Sequence, residues 1–254
     1  MYYADLLQRR AGIPLRDSTR TAHLEATIGR YLGRPGNGRI SPERVSQVTY
    51  GAPPGSLGDY DASVHLQGEL LGAMLDLIIR DATGGRHSLD DVMRAMLERF
   101  SGERGFDGPD IERTVAESCG CSVGAFFQRY VREAHAIDFD RYFQLAGLRA
   151  RVSWSPALGP DGRPLPDLRL FAWAPPGEAS LGLLLSDPAS AWGRAGLHSG
   201  DRLASLNGTA IPSVPDFRQA LGRFHLGDTV RIEEIPEATE RQRALRARWL
   251  AGLP

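Results

Sequence analysis

The chain contains no lysine; all of its 30 basic residues are arginine. No Schiff-base or general-base lysine is therefore available to it, whatever chemistry it performs. Cysteine is nearly absent as well. The only two, Cys119 and Cys121, lie in the run SCGCS. A single intervening residue places them poorly for a mutual disulfide, and no second pair exists to complete a four-thiolate zinc site. Structural or incidental thiols are the expectation. No run of 18 apolar residues occurs, so no membrane-spanning helix and no membrane partner are expected. The first residues, MYYADLLQRRAG, lack a basic region followed by an apolar stretch and do not read as a secretory signal, so the default compartment is cytoplasmic. The formal net charge is −1, without the basic surplus that non-specific nucleic-acid binding requires.

What is present is enough apolar material for a core: 42% of 254 residues are hydrophobic, sufficient for one large domain or two ordinary ones. The chain is organised around Ser63 to Phe100. Its first segment, SVHLQGELLGAMLDLIIR, is apolar almost all round, as in a helix that runs through a core. Its polar residues fall at helical spacing: His65 with Glu69 and Asp76 with Arg80 are each four apart and can meet on one face. Gly68 and Gly72 are also four apart. A glycine costs about 1 kcal/mol against alanine inside a helix, so two on one stripe point to a close approach by another backbone, a packed helix or a ligand.

Around this segment the pattern is helical. Residues 2–11 form a helix that stops at Gly12, and Asp17 or Ser18 caps the next, which ends at Gly33. Pro42 opens a short third helix. GAPPGSLGDYDA (51–62) is a loop on composition. After Gly84-Gly85, Ser88 caps LDDVMRAMLERF, with Asp90 and Asp91 in its first turn, where the helix dipole favours them. Gly108-Pro109-Asp110 and Ser122 start further helices, and FDRYFQLAGL ends near Gly147. From Arg149 the pattern changes: Arg149 to Trp154 alternates as a strand does. A Pro/Gly-rich stretch follows, then short apolar runs at LRLFAW, LGLLL, RLASLNG, DTVRIEEI and RALRARWL. One helix, from Pro215 to about Phe224, interrupts them. The fold class expected is an all-α subdomain, 1–149, followed by a small β-rich domain, 150–254. Arg241, Arg243, Arg246 and Arg248 make the end basic, and Arg246 and Arg248, at alternate spacing on a last strand, read as a solvated face.

The second half resembles a PDZ domain. The run DPASAWGRAGLHSGDRLASLNGTAI (187–211) matches the pattern S-P-A-x-x-A-G-L-x-x-G-D-x-I-x-x-x-N-G of that fold. Asn207-Gly208 is also a strong hairpin signal in its own right. The first half resembles the C-terminal helical part of the glycyl aminopeptidase family, zinc metallopeptidases of the H-E-x-x-H type with a thermolysin-like catalytic domain followed by a PDZ domain. The matching runs are YYADLLQRRAG, QGELLGAMLDLIIRDATGG, SLDDVMRAML, FFQRYV and FDRYFQLAGL, in that order.

The resemblance implies a zinc held by H-E-x-x-H and by a downstream glutamate in W-x-S-E-G-x-T-x-Y-Y. This sequence begins at Met1-Tyr2-Tyr3, just after the place of that glutamate. None of His23, His65, His87, His135, His198 and His225 falls in an H-x-x-x-H pair. No metal ligand and no cofactor are therefore expected within this chain, zinc being implied only for a full-length relative. Where the family carries Y-Y-x-K-G, with its second tyrosine placed to stabilise an oxyanion, this chain has Val64, His65, Leu66, Gln67 and Gly68. His65 thus takes the oxyanion-stabilising position. The PDZ resemblance implies an extended peptide added as a strand between a strand and a helix. It places the carboxylate loop at Leu170, Phe171 and Ala172, next to Trp173, and the groove helix at Pro215 to Phe224, with Phe217 and Leu221 on its apolar face. Core packing accounts for Leu221 equally well. The function expected is a truncated metallopeptidase homologue, catalytically incomplete as it stands, whose PDZ domain binds peptides or protein segments. A non-enzymatic PDZ scaffold and one half of a split aminopeptidase, active only with a partner carrying the zinc site, are the alternatives.

Overall fold

A computed structural model describes residues 2–13, 20–34, 36–49, 56–59, 62–153, 156, 158–164, 169–175, 177 and 180–221. The chain divides into two compact units, Met1–Trp154 with Ser186–Pro188, and Ser155–Leu185 with Ala189–Pro254.

The first unit is helical: α1 (Tyr2–Arg10), α2 (Arg20–Leu32), α3 (Pro42–Thr49), α4 (Val64–Thr83), α5 (Leu89–Phe100), α6 (Gly108–Cys119), α7 (Gly124–Phe127) and α8 (Phe139–Phe143). The long helix α4 is the centre of it. Ser63 caps its first turn by accepting from the Leu66 backbone N–H at 3.3 Å. Gly84, at φ 60°, ends it in the left-handed conformation that a side chain resists. Leu70, Met74 and Ile79 are wholly buried, each worth about 1.5–3 kcal/mol relative to exposure. Around them close Tyr2 of α1, Tyr31 of α2, Val92 and Met96 of α5, Val115 of α6, and the aromatic group Phe126, Tyr130, Phe139 and Tyr142. The rings meet edge to face, as Phe126 and Tyr142 do at 5.7 Å.

Three expectations for this unit need correction. Residues 149–153 form no strand: the Ala150 backbone N–H is taken by the Asp140 side chain at 2.9 Å, so alternation in sequence found no partner strand. The helix expected from Ser122 begins instead at Gly124, stays α-helical for four residues, and widens into a π-helical turn at Gln128–Arg132. Cys119 and Cys121 are joined by a disulfide. Gly120 between them has φ 60°, and this left-handed residue folds the chain so that the two Cα atoms lie 5.1 Å apart, within bridging range. The caps at Asp17 or Ser18 and most of the 51–62 loop lie outside the described residues.

The second unit holds a small antiparallel sheet. Strand β1 (Leu170–Trp173) pairs with β2 (Leu181–Leu185), and β2 with β3 (Arg202–Leu203), in the order β1-β2-β3. A hairpin of β4 (Ser205–Leu206) and β5 (Thr209–Ala210) turns at Asn207-Gly208, both at positive φ. This is the conformation that two-residue hairpins of right-handed twist require. The short helix α9 (Ala191–Arg194) is capped by Ser190, whose Oγ accepts from the Gly193 N–H at 3.1 Å. Helix α10 (Val214–Leu221) closes the core, in which Leu170, Leu181, Leu183, Leu185, Trp192, Leu206 and Phe217 are buried together. The expected strands DTVRIEEI and RALRARWL lie outside the described residues.

Candidate functional site

The N-terminal turns of α4 present one open face. His65, in the first turn, is exposed, and so is Gly68 three residues on. A Cβ built on Gly68 meets nothing within 4 Å among the described residues. The two glycines therefore do different things. Gly72 is where α1 comes close, since a Cβ there would stand 3.3 Å from Cβ and Cγ of Tyr2. Gly68 leaves the surface beside His65 bare. Gln67 turns the other way. It is 2% exposed, and it borders a cavity of about 10 Å³ together with Tyr31, Leu71, Tyr130 and Ile137. Burial pushes the Tyr31 phenol up to about 12, against a hydrogen bond from the Ile137 backbone.

The expected pairing of His65 with Glu69 does not form. Glu69 is buried and faces α2, where its Oε1 lies 2.5 Å from His23 Nε2. The other ring nitrogen, Nδ1, is 3.8 Å from Asp5 Oδ1 on α1. Asp5, also buried, accepts from Arg9 Nε at 2.8 Å and from Arg20 Nη1 at 2.9 Å. The result is a half-buried polar knot that ties α1, α2 and α4 together one turn below the open face. The sequence reading missed His23 and Asp5. The Asp5–Arg9 spacing of four was a visible signal, but Glu69 lies 46 residues from His23 and nothing local joins them. Asp76 and Arg80 do pair as their spacing implied, at 2.8 Å.

A wider hollow of about 490 Å³ opens where α7 and its π-helical turn meet α8. Phe126, Tyr130, Tyr142 and Ile78 line it, with Arg129 and Arg141 at its edge. Each guanidinium stands 5.7 Å from the centre of a tyrosine ring, Arg129 over Tyr130 and Arg141 over Tyr142. Among the described residues, no group of three or more His, Cys, Asp or Glu is arranged to hold a metal ion. Nor, among the described residues, is any helix long and apolar enough to cross a membrane.

In the second unit, β1 is an end strand of the three-stranded sheet formed by the described residues. Leu170 is buried, Phe171 is 47% exposed, and Ala172 and Trp173 are half-buried. The indole of Trp173 lies over Gly182, its partner on β2, with Arg202 on the ring at 6.0 Å. Phe217 and Leu221 of α10 share the core with Leu170 and are 2% and 5% exposed. They hold the helix in place, and the exposed apolar side chain among the proposed groove residues is Phe171.

No protein-family model matches this chain, and no curated protein matches it. Among solved structures, a crystal structure of the aminopeptidase N family protein from Idiomarina loihiensis is similar in fold. The TM-score is 0.61 at 17% sequence identity, covering 90% of this chain and 40% of that one. The described fold, a helical unit with a small antiparallel sheet unit behind it in sequence, is thus similar to part of an aminopeptidase-like protein. The chain spans 40% of the length of that relative.

Proposed function

We propose that this chain supplies one wall of a peptidase-type cleft and a peptide-holding domain, in the manner of the glycyl aminopeptidase family, and is catalytically incomplete by itself. The observation that supports this most directly is the fold similarity to an aminopeptidase N family protein over 90% of the chain. The face of α4 that carries His65 and Gly68 is then the wall turned toward substrate. His65 stands at the oxyanion-stabilising position, where an imidazole N–H can donate to developing negative charge. The zinc and its three protein ligands come from residues outside this chain. In agreement with that, none of the six histidines forms an H-x-x-x-H pair.

In this reading, residues 150–254 form a PDZ domain and 1–149 the peptidase-like helical subdomain. A peptide segment adds as a strand along β1, taking its affinity from main-chain hydrogen bonds and its selectivity from contact with Phe171. Capture of a C-terminal carboxylate is a lesser part of binding, because Phe171 stands where PDZ carboxylate loops favour glycine. The end position of β1 among the described strands also supports a second reading, a peptide-binding scaffold without enzymatic activity, since strand addition there needs no zinc site.

The purified chain, assayed with and without added zinc, separates these from a self-sufficient enzyme. The expected result is no peptide hydrolysis and no stoichiometric zinc, together with binding to peptides displayed with free or amidated C-termini. Phe171→Asp should weaken that binding. Robust hydrolysis by the chain alone would overturn its incompleteness, and failure to bind any peptide would overturn the peptide-holding role.

A further inference from the structure

We propose that Cys119 and Cys121 form a thiol–disulfide exchange site, a bond that a dithiol reductant opens and that re-forms on oxidation while the fold stays intact. The bond closes a ring over a single residue, Gly120. Stabilisation by a disulfide through chain entropy grows with the length of the closed loop, so this one contributes least as a staple. It also joins nothing that is not already joined. The turn it spans is held by backbone bonds of its own: the Gly120 and Cys121 N–H groups both donate to Ala116 O, the second at 3.3 Å. A bond that the fold does not need, in a chain with no other cysteine to scramble with, suits reversible chemistry.

The two sulfurs are placed unequally. Cys119 is 6% exposed and ends α6, while Cys121 is half-buried and begins the exposed turn that leads to Ser122. Ser122 and Val123, the next two residues, border both the hollow of about 490 Å³ and a second of about 430 Å³ on the other side, against Pro109 and Glu112. Cys121 itself lines neither hollow, and it is as the less buried of the two cysteines that a reductant approaches it. Its thiolate attacks Cys121 Sγ, forming a mixed disulfide, and the Cys119–Cys121 bond breaks with its electron pair going to Cys119. Cys119 Sγ already accepts a hydrogen bond from the Cys121 N–H at 3.2 Å, which stabilises the departing charge. The carboxyl end of α6 disfavours a lasting thiolate there, so Cys119 takes a proton from water. As a thiol it finds Ala116 O at 3.5 Å and Cys121 O at 3.6 Å as acceptors. The second thiol of the reductant then attacks its own sulfur in the mixed disulfide. Cys121 leaves as a thiolate and is protonated. Two electrons have passed from the dithiol, now a disulfide, to the protein, now a dithiol. Both states are provided for by the same backbone.

The test uses the full chain under native conditions. It is equilibrated with dithiothreitol or with glutathione at graded ratios, quenched with acid, alkylated and weighed, with circular dichroism recorded in parallel. The expected result is two titrating thiols per chain, at thiol ratios that leave structural disulfides intact, with unchanged helicity. Cys119→Ser should trap a mixed disulfide with oxidised glutathione at Cys121, whereas Cys121→Ser should react at least about 10-fold more slowly through Cys119. The proposal is overturned if the bond resists dithiothreitol until the protein unfolds, or if reduction and loss of helicity coincide. It is equally overturned if the isolated protein carries two free thiols that oxidised glutathione cannot join.

Discussion

His23 Nε2 lies 2.5 Å from Glu69 Oε1, so that a residue of α2 clamps the second turn of the central helix from a distance of 46 positions in sequence. Glu69 is 4% exposed, and its carboxylate has exchanged water for this contact. Removing one partner of such a pair costs more than the pair itself is worth, because the other is left with a desolvated polar group. Asp5 stays near the other face of the ring and moderates the loss. Glu69→Ala is expected to lower unfolding free energy by about 2–3 kcal/mol, and Glu69→Gln by less, since the amide oxygen still accepts. Urea denaturation of the two variants checks this; equal losses would mean that packing and not the hydrogen bond holds the knot.

The two glycines of α4 should respond oppositely to the same change. Gly68→Ala introduces a methyl group into open space and removes the helix penalty, a gain of about 1 kcal/mol. Gly72→Ala brings its methyl to 3.3 Å from the Tyr2 ring base, so the packing of α1 must yield and the propensity gain is offset or reversed. Thermal melts of both variants decide it. If both were stabilised alike, α1 would not rest on Gly72 as described.

The parts of this fold that were legible in the sequence are those written locally. Apolar periodicity, the cap at Ser88 and the stop at Gly84 marked α4 and α5, and Asn207-Gly208 marked its hairpin, because caps and two-residue turns are decided by the residues inside them. Pairings between distant positions were not legible. Glu69 was assigned to His65 because four residues separate them, yet tertiary packing turned Glu69 toward α2. The alternation at Arg149–Trp154 looked like a strand, but a strand needs a neighbour, and at Ala150 the Asp140 carboxylate took the backbone donor instead. The cysteine pair was discounted on spacing alone; the left-handed conformation of Gly120 brings the sulfurs together, and glycine at that position was the available clue. For the site, the family pattern gave His65 an oxyanion-stabilising position, and the structure shows that its side chain is exposed; Phe217 and Leu221 belong to a core that a helical apolar stripe cannot distinguish from a groove.

Gly182 is the most constrained glycine of the sheet. A Cβ there would fall 2.3 Å from Trp173 Nε1 and 2.8 Å from the adjoining ring carbon, a separation that real atoms do not tolerate. Gly182→Ala therefore expels the indole, breaks its stacking with Arg202, and should cost about 1–3 kcal/mol. Tryptophan fluorescence gives the readout: the variant's emission should shift to the red as an indole moves into water. An unshifted spectrum with wild-type stability would contradict the packing of Trp173 on Gly182.

Acid should weaken the helical unit through carboxylates that accept backbone hydrogen bonds. Asp91 is held below its ordinary value of 3.8 first by the Ser88 backbone N–H, 2.8 Å away, and then by Arg94. Asp140 is lowered first by the Ala150 N–H and then by Gln144, and Asp110 by the Asp107 N–H. A folded-state value below the unfolded one means that folding favours the ionised form. Each contribution is thus complete above the unfolded value and disappears as pH falls through the folded one. The urea midpoint should be level from about pH 7 to 5 and decline below about pH 4. Asp91→Asn removes one titrating cap, so its midpoint starts lower at neutral pH but falls less steeply in acid. A wild-type midpoint unchanged between pH 5 and 2, or a steeper acid limb in Asp91→Asn, would show that these carboxylates do not carry the pH dependence. The bonds of Asp91 and Asp110 belong to the first turns of α5 and α6, and that of Asp140 ties the chain beyond α8 back to this helix. Loss of protection from amide exchange should therefore begin at Ser88, Asp107 and Ala150, before the core around Leu70 and Met74 opens.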